Sequence, residues 1–246
     1  MGRGRGGDSV TRRQHGGRGR ANRPRQVYIY TEGEVTEPEY IDIILQHGTP
    51  ERPERRVERH FENASAVGKH RKPLAMVKDA VRTLHKVERD ARNAGLDRDK
   101  DWNWPQVWVL FDRDDHQDIP EAFRLAEKEG VRIAYSHPCF ELWRLLHYQN
   151  YTSSFGGVCR DANNRLRSQP GFAQTYGRRI RTVSEQQSKH VRPEQVLRTS
   201  EKNRYDSART HAEKIRDGQK STNQNTWDPY TNVPEFVEKG LLLSGY

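Results

Sequence analysis

The 246-residue chain has little cysteine and little methionine, two of each, and only 32% of its residues are hydrophobic. Cys139 and Cys159 are too few and too unpatterned for a disulfide framework or a zinc site, and the histidines form no closely spaced helical pair. No apolar run approaches the roughly 20 residues that a bilayer span requires. The start of the chain has no apolar stretch of the secretory kind, and Asp8 with many glycines breaks any amphipathic leader helix. A cytoplasmic protein without a membrane partner is the resulting expectation.

Acid is nearly missing from one region. Residues 1–25 carry eight arginines against a single acid, Asp8, so seven of the nine formal positive charges lie there. The remaining body is close to neutral, and the overall basicity reports an Arg/Gly tail in place of a broad basic face. With little to bury, the tail is expected to be disordered. It is either a solubilising extension or an arm that attracts phosphates without sequence preference.

Order is expected to begin near Gln26. Val27-Tyr28-Ile29-Tyr30 reads as a strand buried on both faces, and Glu32-Gly33 follows at its end. Thr36-Glu37-Pro38-Glu39 matches a capping box, which opens a helix ended by Gly48 and Pro50 and gives Glu37 and Glu39 a local explanation. Residues 49–73 read as a loop or a weak strand around Val57 to Phe61. Apolar positions from Leu74 to Ala91 recur at steps of three or four and predict a helix capped by Gly95. Gln106 to Phe111 is the second strong strand and runs into Asp112-Arg113-Asp114. A helix from Pro120 to Gly130, a strand from Val131 to Tyr135 and a helix from Phe140 to Tyr148 follow. Beyond Tyr151 come a helix from about Pro193 to Asp217 and a final one after Asn232.

This order predicts an α/β fold with a mostly parallel sheet flanked by helices, and ligands in such folds sit beyond the carboxyl ends of the strands. Glu32, Asp112 and Asp114 fall at those ends. If the two strands are neighbours, the three carboxylates form the hard-oxygen set that Mg²⁺ takes, and a glycine at position 33 lets backbone approach a phosphate. Glu34 or Glu141 are the acids that could complete the set. Glu141 stands among bulky apolar residues, so either an arginine or lysine partners it or it joins the metal cluster. Asp115 is read as solvated, and His116 as a proton donor or an ordinary surface histidine.

Three blocks carry a family resemblance: Glu32-Gly33-Glu34-Val35-Thr36-Glu37-Pro38-Glu39-Tyr40, Phe111-Asp112-Arg113-Asp114, and Ser136-His137-Pro138-Cys139-Phe140-Glu141-Leu142-Trp143-Arg144-Leu145-Leu146-His147. With Asp228-Pro229-Tyr230-Thr231-Asn232-Val233 they make the chain resemble the RloB-like family, prokaryotic proteins associated with restriction loci and anti-phage defence. The resemblance implies a fold similar to the topoisomerase-primase (Toprim) domain, with Glu32 as the first-motif glutamate and Asp112 and Asp114 as the metal pair. His137 departs from the family pattern, which has Asn before the proline.

The expected organisation is a tail over 1–25, a Toprim-like α/β domain over 26–150 and a mainly helical C-terminal extension over 151–246. The expected function is a Mg²⁺- or Mn²⁺-dependent nuclease of phage defence acting on DNA or RNA. Glu32, Asp112, Asp114 and Glu141 would hold metal, and Arg113, Arg144 and Lys202 would contact phosphates. A non-hydrolytic nucleic-acid or nucleotide-binding effector is the alternative. A defence-system partner protein and an oligomeric state are compatible with either.

Overall fold

The computed structural model describes residues 23–114, 116–198 and 203–246. Most of the arginine-rich tail, Asp115 and Lys202 therefore lie outside the described residues. Arg25 already belongs to the first strand.

Strands and helices alternate through the first part of the chain. Strand β1 (Arg25–Thr31) leads to helix α1 (Thr36–His47), the short strand β2 (Thr49–Pro50) and strand β3 (Val57–Phe61). Helix α2 (Pro73–Asn93) then precedes β4 (Gln106–Asp112), and α3 (Ile119–Glu129) precedes β5 (Arg132–His137). The sheet order is β3-β1-β4-β5 with parallel pairing throughout, and a two-residue strand, β6 (Tyr230–Thr231), closes it antiparallel to β5. This is a mixed α/β fold with a mostly parallel sheet flanked by helices, consistent with a Toprim-like arrangement.

Alternation along the central strands sorts side chains between two cores. Val27 and Ile29 of β1 join Trp108 and Leu110 of β4 on one face, where Tyr40, Ile41 and Ile44 of α1 pack. Tyr30, Val107, Val109 and Phe111 face the other way, against Met76, Val77, Ala80 and Leu84 of α2 and Ile119, Ala122 and Ala126 of α3. Both helices end as their sequences predict: Gly95 and Gly130 adopt positive φ, where glycine has no Cβ to clash.

The rest of the chain thickens the first core. Helices α4 (Phe140–Leu146), α5 (Cys159–Arg167), α6 (Glu185–Ser188), α7 (Pro193–Val196) and α8 (Arg204–Asp217) precede β6. After β6 a short turn of helix passes into a π-turn over Phe236–Gly240, and β7 (Leu243–Gly245) pairs antiparallel with β2. The single helix expected from Pro193 to Asp217 is two helices. Leu197 leaves α7 in an extended conformation, and the Asn203 side chain accepts the Asp206 N–H to start α8 afresh. Among the described residues no helix is long and apolar enough to cross a membrane.

The late Asp-Pro-Tyr-Thr-Asn motif is explained by this closure. Asn232 accepts the Tyr135 N–H at 2.6 Å and donates to the Ile133 carbonyl at 3.0 Å, so its amide extends the ladder on the open edge of β5. Asp228 accepts from Ser154 Oγ, Phe155 N and Gly157 N, and its carboxylate lies 3.9 Å from His137 Nε2. His137 therefore abuts a structural acid.

Candidate metal centre

The register of β1 against β4 places Thr31 opposite Leu110, so Glu32 and Asp112 emerge side by side at the carboxyl edge of the sheet. Glu32 is fixed at both ends. Its N–H donates to the Leu110 carbonyl at 3.0 Å, continuing the ladder, and its Oε2 accepts the Asp112 N–H at 3.0 Å. His116 Nε2 lies 2.7 Å from Glu32 Oε1. Asp114 reaches the same place from a backbone at φ +30°, a region that aspartate tolerates better than most residues. Ligand atoms of Glu32, Asp114 and His116 all lie within 4.8 Å of one another.

The turn after β1 is held by residues that sequence patterning did not flag. Arg71, 6% exposed, donates to the carbonyls of Thr31, Gly33, Asn63, Ala64 and Ala66, and its Nε stands 3.5 Å from Glu34. Asn63 accepts the Thr31 N–H and donates to the Thr31 carbonyl, substituting for a strand partner where β3 has ended. A buried guanidinium saturated by carbonyls is a rigid clamp. Glu34, paired to that clamp and exposed, is a rim residue.

The expected capping box at Thr36 does not form. Val35 occupies the cap position, Thr36 Oγ1 donates to the Lys189 carbonyl, and Glu39 accepts the Val191 N–H and meets His190 Nδ1 at 2.8 Å. The 189–191 segment, remote in sequence, takes the groups that a local cap would have used. Glu37 stays in the first turn of the helix. It turns inward, 3% exposed, and its Oε1 accepts the Gly33 N–H at 3.2 Å. A Cβ on residue 33 would collide with the Glu37 carboxylate, so glycine is what lets that carboxylate sit against the turn.

Glu32, Glu37, Asp112, Asp114, His116 and Glu141 line one cavity of about 640 Å³. Burial and mutual repulsion hold Glu32, Glu37 and Asp112 toward their protonated forms. Desolvation, then the charges of Glu37, Glu32, Glu141 and Asp114, push the Asp112 carboxyl well above the usual range. Desolvation followed by the Glu141 and Glu32 charges, opposed by backbone N–H donors, pushes Glu37 up to about 7. Glu32 is also raised, chiefly by desolvation, with the Asp112 N–H and His116 opposing. The donor set is hard oxygen with excess negative charge, which fits an Mg²⁺- or Mn²⁺-class cation.

The cations expected at this edge behave differently from one another. Arg113 lies on the site loop, but its Nη1 donates to the Asp114 and His116 carbonyls and shapes the loop itself. Arg144 is 1% exposed and donates to the Ser188 carbonyl and Gln195 Oε1, both at 2.7 Å, so the expected phosphate contact is replaced by a packing role. The reason is that all seven residues of α4 are buried. Lys72 and Lys189 line the cavity instead, and neither is ion-paired among the described residues. Glu141 has Arg144 Nη1 at 4.0 Å, so a cation is near it, and its carboxylate lines the cavity.

The two cysteines are joined, Cys139 to Cys159, with their Cα atoms 5.5 Å apart. Twenty residues separate them in sequence, and α4 packing on α5 brings them together. Cys159 also lines the cavity.

A family model described as RloB-like protein matches residues 27–239. No curated protein and no solved structure matches the chain.

Proposed function

The chain belongs to the RloB-like family, and from that premise we propose that it is a divalent-cation-dependent nuclease hydrolysing phosphodiester bonds in DNA or RNA, acting in defence against phage. The observation that carries the reading is the convergence of Glu32, Glu37, Asp112, Asp114 and Glu141 among the acids of one cavity at the carboxyl edge of a parallel sheet. The defence role rests on the family resemblance alone.

Glu32, Asp112 and Asp114 would hold Mg²⁺ or Mn²⁺, with Glu37 and Glu141 completing the set. When bound, such a cation acidifies water and offsets charge developing on phosphate oxygens. The chain's own residues do the positioning. The Asp112 N–H and His116 orient Glu32, the Gly33 N–H orients Glu37, and Arg71 makes the turn that carries Glu32 and Gly33 rigid. Lys72 and Lys189 supply charge at the cavity wall for phosphates, a contact that attracts without reading sequence.

Digestion of labelled DNA and RNA by the full chain, with Mg²⁺, with Mn²⁺ and with chelator, tests the reading. Cation-dependent cleavage that Asp112→Asn abolishes is expected. Cleavage that survives Asp112→Asn removes the site assignment, and cation-insensitive binding without turnover transfers the reading to a non-hydrolytic effector.

A further inference from the structure

A second cluster adjoins the carboxylates and shares Glu141 with them. Cys139 Sγ, Cys159 Sγ and a Glu141 carboxylate oxygen all lie within 4.8 Å of one another. Glu141 Oε2 is 3.7 Å from Cys159 Sγ. Among the described residues Glu141 receives no N–H or O–H hydrogen bond, and Arg144, its nearest cation, is spent on Ser188 and Gln195. A buried carboxylate with only a distant, committed counterion is an expensive arrangement. It is what a ligand awaiting a metal looks like.

We propose that the Cys139–Cys159 pair is a redox-gated metal site: once reduced, the two sulfurs and Glu141 bind one Zn²⁺. Two thiolates and one carboxylate form a three-ligand set of the kind that leaves zinc a fourth, open position, and Cys159 turns that position toward the cavity it lines. The soft sulfurs select zinc over the hard cations suited to Asp112 and Asp114.

Entry begins at Cys159, which is half-buried, whereas Cys139 is 1% exposed. A thiolate of a dithiol reductant attacks Cys159 Sγ. The S–S bond breaks, and its electron pair leaves on Cys139 Sγ, which takes a proton. The second thiol of the reductant displaces Cys159 and departs as its own disulfide. Zn²⁺ then replaces the two thiol protons, which pass to solvent. Cys159 is the first residue of the nine-residue helix α5, where backbone N–H groups favour a thiolate. The oxidised and zinc-loaded forms exclude each other, because sulfurs joined in a disulfide are neutral and cannot serve as the thiolates that zinc binds.

This site stands whether or not the neighbouring carboxylates support nuclease activity, since its readout is sulfur ligation. Anaerobic titration of the full chain with Co²⁺, oxidised and after treatment with a dithiol reductant, tests it. One equivalent should give a sulfur-to-cobalt charge-transfer band in the reduced chain only, displaced by Zn²⁺. The band should vanish in Cys159→Ser, and Glu141→Gln should weaken binding by about tenfold or more. In parallel, Zn²⁺ should protect both thiols of the reduced wild-type chain from alkylation, counted by mass spectrometry, which needs no variant to fold. A reduced chain of native circular dichroism with no such band and no protection overturns the proposal. So does a band that persists in Cys159→Ser, and an unchanged affinity in Glu141→Gln removes the third ligand.

Discussion

Glu32 Oε2 accepts the backbone N–H of Asp112 at 3.0 Å across 80 residues of sequence. The carboxylate thus does for β4 what a further strand residue would have done, and it is aimed at the site by that bond. Glu32→Gln keeps an oxygen acceptor and should fold normally while losing most cation affinity. Glu32→Ala also leaves the Asp112 N–H unpaired and should cost about 1 kcal/mol more in urea unfolding. Mn²⁺ affinity by electron paramagnetic resonance, set beside the unfolding midpoints, separates the two losses.

Glu37 is raised from 4.5 to about 7, so the folded protein keeps a proton that the unfolded chain gives up. Its contribution is fully present below about pH 4.5 and is lost as pH rises through about 7. Asp112 and Glu32 shift in the same direction. With chelator present, melting temperature should therefore fall across that window, by on the order of 3 kcal/mol of stability from Glu37. Glu37→Gln should flatten the slope. Saturating Mn²⁺ should reverse it, because protons and cation compete for the same oxygens.

Gly33→Ala drives a methyl group into the Glu37 carboxylate. The carboxylate must swing away and give up the Gly33 N–H. Divalent-cation affinity should drop about tenfold, measured by calorimetry, while the far-ultraviolet circular dichroism stays native. An unchanged affinity would show that Glu37 contributes no ligand.

Lys72 and Lys189 should act through phosphate charge. Lys72→Ala and Lys189→Ala should each weaken nucleic-acid binding on every sequence and lower the slope of log affinity against log salt by about one. Arg144→Ala should leave that slope unchanged and cost about 3 kcal/mol of stability, since it strands the Ser188 carbonyl and Gln195 in the core.

Much of the architecture was legible in residue order. Period-two and near-continuous apolar runs marked β1, β4 and β5, a three-to-four spacing marked α2, and Gly95 and Gly130 marked helix ends. The positions of Glu32, Asp112 and Asp114 after strands were legible for the same reason. Glu37 was hidden because a glutamate in the first turn of a helix has an ordinary local explanation. Its place in that first turn holds, but the carboxylate also turns inward to the Gly33 N–H and the cavity, which no local pattern marks.

Sequence by itself determined which segments alternate, where they stop and which residue types stand at their ends, because backbone geometry and burial act over a few residues. The tertiary structure alone decided that β1 and β4 are neighbours, that Arg144 faces the core, that Lys72 and Lys189 reach the cavity, and that Cys139 meets Cys159 beside Glu141. Those outcomes depend on which surfaces bury each other and which distant donor reaches an acceptor first. No local pattern encodes that competition.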